Sequence, residues 1–516
     1  MAFCGCLIAA LLAQTPPALA AATTQRLDAL LAEAAQASQL TPSPQADDAT
    51  FVRRVWLDLA GRTPPVDAAR KFLVNQQPEK RRELIESLLA SQDAANHFGR
   101  TWTEYLTDKR PFEQGDHDGR QISKFLKGAW LTDRSYREVV RELIAGGGSS
   151  DASGPANFLL SYNVQPAALA GAVSKKFLGL TMHCAECHDH PHAEWKRQQF
   201  WGLAAHFARL RRMLPADEPE GDNYSLVVER GRGELRMPDV DATPDKDGNR
   251  PKKTVYPLLP GAQPQTAEVA RRDALAAWIT LDDNPYFARH FVNRTWARLF
   301  GRPLVASFEQ PLSGDAASSV KAAVLDLLAK DFAASGFDLK QPLRVILNSQ
   351  SYQRSSGPAA EGGQSESLSR ELLARFPVRP LSADETVLAI GQATGYKGDF
   401  IDAGVSQLAG EDFGSDVATP AVTGQALSVP RSLALLNSDH VRSAAEMAAS
   451  VTQRLFGNTP TAQHIEWLCL AAYSRPPRPD ELRTLLKLAA DNQEAAAGLA
   501  DVAWVLLNSA EFNTNH

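Results

Sequence analysis

Apolar positions recur at helical spacing along most of this chain. Leu27, Leu30 and Leu31 form a stripe after Thr23-Thr24, and Phe51, Val55, Leu57 and Leu59 follow until Gly61-Arg-Thr-Pro-Pro65 interrupts the run. Pro78 sits in the first turn of another predicted helix whose buried face is Leu84, Ile85, Leu88 and Leu89. Residues 167–180 read as an apolar helix, and residues 194–212 as a helix with Trp195, Phe200, Leu203, Phe207 and Leu210 on one side. Strand-like patterning is confined to one region. Residues 224–230, a turn at Gly231-Arg-Gly233 and residues 234–237 predict a β-hairpin, and residues 245–249 mark a second turn before residues 254–259. Residues 146–154 read as a flexible loop and residues 395–430 as a long surface loop. The pattern predicts a mainly α fold of two helical domains with a small β-hairpin region between them. The expected boundaries are 1–20 for a signal peptide, 21–215 for a first helical domain, 216–266 for a β-rich connector and 267–516 for a helical C-terminal domain.

Three related strings punctuate the C-terminal half: Ile346-Leu-Asn-Ser349, Leu435-Leu-Asn-Ser438 and Leu506-Leu-Asn-Ser509. Each closes an apolar helical run, with Asn suited to a left-handed C-cap and Ser to capping the next helix. Their unequal spacing excludes a fixed-period solenoid.

A length of 516 residues allows two to four domains with large cores, and 44% hydrophobic with 22% charged residues describes an ordinary globular protein. The net charge of −6, without a long basic run, gives no reason to expect nucleic acid as a partner. Residues 3–13 are apolar but too few to span a bilayer, and Ala18-Leu19-Ala20 resembles a signal cleavage site. No Lys or Arg precedes that run. The expectation is an exported protein of the periplasm or cell surface, with no transmembrane segment in the mature chain. Cys4 and Cys6 would leave with the signal. Of the remaining three cysteines, Cys469 lies in an apolar stretch and reads as a buried, inert thiol.

The other two belong to the most informative ten residues. His183-Cys-Ala-Glu-Cys-His-Asp-His-Pro-His192 holds two of five cysteines and four of eleven histidines. Within it, Cys184-Ala-Glu-Cys187-His188 has the spacing that attaches a c-type haem. Two thiols add to the vinyl groups of one porphyrin, and the adjacent imidazole reaches the iron. On this reading Cys184 and Cys187 form thioethers and His188 is the proximal ligand, with His206 or Met237 as the candidate distal ligand. A redox partner protein would follow. A second reading makes Cys184, Cys187, His188 and His190 or His192 a site for zinc or another divalent metal. Asp189, His206 or a distant residue would close it, and His190 or Asp189 could serve a metal-dependent enzyme as a further ligand or base. A third makes the cluster a structural clip, with a Cys184–Cys187 disulfide, on a non-enzymatic cell-surface scaffold protein. No P-loop, Gly-x-Ser-x-Gly or His-Glu-x-x-His is present, and no catalytic residue is assigned. Asp58, Asp108 and Asp116 read as solvated or capping carboxylates. Arg294 and Trp296 share an amphipathic helix with Phe291 and Phe300, which favours a structural cation–π or packing role.

Longer strings carry a family resemblance. Phe51-Val-Arg-Arg-Val-Trp-Leu-Asp-Leu-Ala-Gly-Arg-Thr-Pro-Pro65 and Phe177-Leu-Gly-Leu-Thr-Met-His-Cys-Ala-Glu-Cys-His-Asp-His-Pro191 resemble the planctomycete cytochrome-like domain (domain of unknown function 1549). Asn293-Arg-Thr-Trp-Ala-Arg-Leu-Phe-Gly-Arg302, Arg379-Pro-Leu-Ser-Ala-Asp-Glu385 and Ser432-Leu-Ala-Leu-Leu-Asn-Ser438 resemble the planctomycete-specific domain (domain of unknown function 1553) that commonly follows it. Together the two resemblances cover nearly all the chain after the signal. They imply exported, cytochrome-like bacterial proteins without an assigned activity. The motif continues through Asp189-His190-Pro191, an extension that haem attachment does not itself require.

Overall fold

Local caps set many of the helices. In Asp48–Ala60 the Asp47 carboxylate accepts the Thr50 N–H at 2.7 Å, and Gly61 ends the helix at φ 68°. A Cβ at Gly61 would collide with the His97 ring, so the position needs glycine for space as well as for backbone angle. Ser135 and Glu138 close a reciprocal capping box at the start of Tyr136–Ala145, as do Ser382 and Glu385 at the start of Ala383–Thr394. The result, in a computed structural model, is a mainly α chain. It describes residues 16–108, 118–191, 193–214, 224–239, 242–243, 245–248, 250–260, 270–310, 314–357, 366–396, 429–492 and 494–516. The expected long loop at 395–430 therefore lies almost wholly outside the described residues, as do Asp116, His192 and most of the expected signal. The helix Pro16–Ala37 runs through Ala18–Ala20 and places Ala20 in the main core. No helix among the described residues is long and apolar enough to cross a membrane.

Two large apolar cores organise the helices. The first extends from Ala20 to Phe376 and joins helices on both sides of residues 216–266. Its centre is an aromatic stack in which Phe291 meets Trp102 at 5.2 Å, Tyr136 at 4.3 Å and Phe332 at 4.6 Å. Full burial of each such ring is worth roughly 2–3 kcal/mol. The second core gathers residues 381–512 together with Leu57. Leu57 shares a helix with Phe51, Val52 and Val55 of the first core, so Asp48–Ala60 lies between the two and is buried almost all round.

The strand region departs from expectation. Strands β1 (Gly148–Ser149), β2 (Leu210–Met213) and β3 (Leu226–Glu229) form one antiparallel sheet in the order β1-β3-β2. The register pairs Leu210 with Glu229 and Met213 with Leu226. Strands β4 (Leu235–Pro238) and β5 (Lys252–Val255) form a separate pair. The two expected arms of one hairpin, β3 and β4, thus lie in different sheets. Alternation along a strand specifies its face but not its neighbour. Here the neighbours are fixed by the helix Arg271–Ile279, whose Arg272 holds Glu229 while Arg271 holds Glu234. The helix expected over 194–212 is correspondingly short, Arg197–Ala204, because its last residues become β2. The glycine-rich stretch 146–154 is ordered by β1 and by Ser153, which caps the following helix.

Strands β6 (Arg379–Pro380) and β7 (Thr514–Asn515) pair at the edge of the second core. The three Leu-Asn-Ser strings do end helices, and Ser349, Ser438 and Ser509 cap the helices that follow. Asn348 and Asn508 are right-handed rather than left-handed. Their amides instead donate to carbonyls four residues back, as does that of Asn437. Cys469 is fully buried.

Candidate functional site

The Cys-x-x-Cys-His string occupies a short 3₁₀ turn, Met182–Ala185, and the loop after it. Met182 and Ala185 point into the first core and anchor the turn. That orientation leaves Cys184 and Cys187 exposed, and both are free thiols rather than a disulfide. His188 is also exposed. Its Nδ1 lies 2.6 Å from the Asp189 carbonyl oxygen. A carbonyl only accepts, so Nδ1 carries the proton and Nε2 presents its lone pair outward.

The extension beyond the haem string builds the loop. Asp189 accepts the Arg197 N–H at 2.9 Å and meets the Lys196 ammonium at 3.1 Å. Those contacts hold its carboxyl below the usual range, the backbone hydrogen bond from Arg197 contributing most. Asp189 therefore satisfies a free N–H at the start of the helix Arg197–Ala204. The His190 N–H donates to Trp195 O at 2.8 Å and closes the intervening turn. From the same helix, Trp201 Nε1 and Arg197 Nε both donate to the Glu186 carbonyl, at 2.9 and 3.2 Å. Glu186 also pairs with His183 at 3.2 Å.

The remaining candidates lie inside. His206 is fully buried in a 3₁₀ turn, with Nδ1 at 3.1 Å from the carbonyls of Gly202 and Leu203. Burial lowers its pKa to about 4, so the ring is neutral, and Nε2 has no hydrogen-bond partner among the described residues. Met237 is buried against Ala205, Val255, Leu235 and Trp201. Trp201 thus links the cysteine loop to the Met237 cluster. Among the described residues no three His, Cys, Asp or Glu side chains converge as a metal-ion site.

Aromatic residues line the approach to the loop. Trp195, Tyr286 and Phe308 follow one another at 6.4 and 6.5 Å, and Glu309 accepts the Thr181 N–H at 3.0 Å. Behind them Tyr105 Oη lies 2.7 Å from His290 Nε2. Lys176, within a π-helical turn, is buried and reaches Asp108 at 2.5 Å. Burial brings that lysine down to about 8 and His290 to about 3. Asp108 is thus both a left-handed helix end and an ion-pair partner.

A second polar assembly was not visible in the sequence. Asp58 is neither solvated nor a cap. Its side chain is 0% exposed, accepting from Arg379 at 2.7 Å, from Asn515 at 2.9 Å and from the Tyr352 hydroxyl at 2.6 Å. Arg379 also grips Glu385 through two bonds of 2.9 and 3.1 Å. Burial raises the Asp58 pKa, whereas for Glu385 burial is outweighed by the charge and hydrogen bonds of Arg379, leaving that carboxyl lowered. Nearby, Arg53 donates to Ala472 O and Phe512 O, each at 2.6 Å. Arg54 lies over the Phe376 ring at 3.6 Å and donates to Arg354 O at 2.9 Å. His97, kept neutral by burial and by the Arg298 charge, receives a hydrogen bond from Arg298.

Residues 26–212 match PSCyt2, a protein family of unknown function (DUF1549), and residues 271–399 match PSD1, a protein family of unknown function (DUF1553). The chain carries a PSCyt2 domain followed by a PSD1 domain. No curated protein and no solved structure matches it. The PSCyt2 span contains the whole cysteine loop and Asp58, whereas Arg298, Arg379 and Glu385 come from PSD1. The buried assembly therefore ties the two domains together, through the very strings 51–65, 293–302 and 379–385. The string 432–438 lies beyond the PSD1 span, although Arg431 beside it bonds Thr386 Oγ1 within that span at 2.5 Å.

Proposed function

We propose that this protein is exported, carries one covalently attached haem c on its PSCyt2 domain, and serves electron transfer with a partner protein. The observation that carries the proposal is the loop itself: two exposed free thiols three residues apart, followed by an imidazole whose Nδ1 is already engaged. Cys184 and Cys187 would hold the porphyrin edge, and His188 Nε2 would be the proximal ligand. The bond from Nδ1 to the Asp189 carbonyl orients the ring and increases its donor strength. Bound haem supplies a one-electron ferric–ferrous couple. Trp195, Tyr286 and Phe308 offer apolar area beside the loop, and Lys196 offsets the Asp189 charge that would otherwise favour the oxidised form. Of the two inner candidates His206 is neutral, but it is fully buried whereas His188 is exposed, so it is given no role at the haem. Export fits the same chemistry, because free neighbouring thiols in an oxidising compartment close on each other unless a covalent partner consumes them.

The test is expression with a haem c maturation system, followed by denaturation and measurement of covalent haem by mass and absorbance. The expected product carries one haem, which Cys184→Ala with Cys187→Ala abolishes. Folded, exported protein without covalent haem overturns the proposal, and stoichiometric zinc on that protein moves the assignment to the metal reading.

A further inference from the structure

We infer that the arginine-rich face where β2, β3 and β4 meet is the docking surface for an acidic patch on the electron-transfer partner. That the partner exchanges electrons rests on the haem reading above; the surface itself does not.

The face is built around the turn Gly231-Arg232-Gly233. The Arg230 N–H donates to Arg209 O at 3.0 Å, which places the turn at one end of the β2–β3 pair. A Cβ on Gly233 would stand 3.5 Å from a terminal nitrogen of Arg211, so that guanidinium lies against the turn. Carboxylates neutralise the inner layer. Glu229 is held by Arg272, and Glu234 by Arg271 at 2.7 Å and by Arg209 at 3.6 Å. The outer layer is cationic. Arg230, Arg232 and Arg236 are exposed and form no ion pair with a described residue, and Arg211 donates to the carbonyls of Ala208 and Leu210 rather than to a carboxylate. Arg236 stands opposite Thr254 across the β4–β5 pair, so exposed Lys252 shares its face at the diagonal, about 7–8 Å away. Asp273, exposed on the helix of Arg271 and Arg272, is the one carboxylate here without an ion pair among the described residues.

The flanks select the occupant. Asp239, which pairs with Lys253, lies with Asp245 and Asp247 beyond the far end of β4, and the acidic string 217–222 follows β2 at its other end. A long polyanion laid along the strands would run onto carboxylates, whereas a compact acidic patch meets the cations alone. The chain carries a net charge of −6, so the face is a local reversal that steers an acidic partner to one place. That place suits the chemistry. Met237 of β4 and Val255 of β5 belong to the cluster on which Trp201 packs, and Trp201 Nε1 donates to the Glu186 carbonyl between Cys184 and Cys187. A partner docked on the ribbon stands behind the cysteine loop, with the ribbon and that indole between them.

Fluorescence anisotropy of a labelled decaglutamate peptide, titrated with the full chain expressed without haem, tests the surface. Saturable binding is expected, weakening at least about tenfold between about 20 mM and about 200 mM salt. Arg230→Ser with Arg232→Ser should weaken it at least about fivefold. Lys124→Ser with Lys487→Ser removes the same charge from exposed positions elsewhere and should leave it within about twofold. If the turn variant misfolds, Arg236→Ser with Lys252→Ser decides in its place. Absence of saturable binding, or equal loss in the turn and control variants, overturns the surface; tighter binding of an oligothymidylate of equal charge overturns the partner class. Because this binding is read without haem, its failure is separate from a failure of haem attachment. On haem-loaded protein the turn variant should slow oxidation of the ferrous form by ferricyanide at least about threefold at low salt. An unchanged rate overturns electron transfer as the purpose of the surface.

Discussion

The cysteine loop and the Asp58–Arg379 assembly place polar chemistry in opposite settings. The loop keeps its reactive atoms in solvent and spends its backbone and Asp189 on holding shape. The assembly has charged side chains in the interior and commits both carboxylate oxygens of Asp58 and of Glu385, and both terminal nitrogens of Arg379, to one another or to neighbouring residues. Removing an exposed group should change chemistry and leave folding intact, whereas removing one buried partner should leave another charge stranded. The protein therefore divides its polar residues between a surface device and an internal clasp, and mutation can separate the two.

Acid provides the largest expected effect. Burial holds His206 and His516 at about 4 and His290 at about 3, and it places His97 well below the ordinary value. A histidine with a depressed folded pKa contributes stability that is fully present above about 6.5 and is lost as pH falls toward its folded value. Each contributes about 1.4 kcal/mol per pH unit within that window. Asp28, raised by burial to about 6, opposes them, since the native state takes its proton first. Together the histidines should remove roughly 5 kcal/mol or more between pH 7 and pH 4.5. Urea midpoints across that range would measure it, and a flat profile would show these rings to be open to protonation in the native state.

Arg379→Met comes next, because it strands Asp58 and Glu385 together inside the protein. A loss of about 3–5 kcal/mol at neutral pH is expected from chemical denaturation. A loss below about 1 kcal/mol would mean that the interior readily neutralises both carboxyls and that the clasp does not depend on charge. Tyr352→Phe is a gentler probe of the same point. It removes one 2.6 Å hydrogen bond to Asp58 and keeps the ring, so about 1.5–2 kcal/mol should be lost. If it costs as much as Arg379→Met, the hydroxyl rather than the guanidinium holds Asp58 in place.

What the sequence revealed divides along the same line. The cysteine string stood out because Cys184, Cys187 and His188 are neighbours in the sequence. The clasp was not, because the partners of Asp58 lie 294, 321 and 457 positions away. Asp58 in the apolar part of its helix, one turn after Arg53 and Arg54, was the available signal, since charges on a buried stripe must find partners. Helices were readable from their periodicity and caps. The mispaired β3 and β4 show the limit: Gly231 and Gly233 look like a hairpin turn, yet Arg271 and Arg272 fix Glu234 and Glu229 from a helix some 40 residues onward.

The smallest expected effect on stability has the largest chemical consequence. Cys184→Ser and Cys187→Ser alter exposed thiols that make no disulfide, so without haem each should shift unfolding by no more than about 0.5 kcal/mol. The double variant should nevertheless lose all covalent haem after expression with maturation machinery. Asp189→Ala supplies the complementary case. It keeps both thiols and His188 but releases the Arg197 N–H and Lys196, so the loop should become more sensitive to limited proteolysis. If haem attachment needs only the string, Asp189→Ala protein should still acquire haem, while loosening of His188 should appear as a shifted Soret band. An unshifted band with unchanged protease sensitivity would mean that Trp201 and Arg197, through the Glu186 carbonyl, suffice to hold the loop.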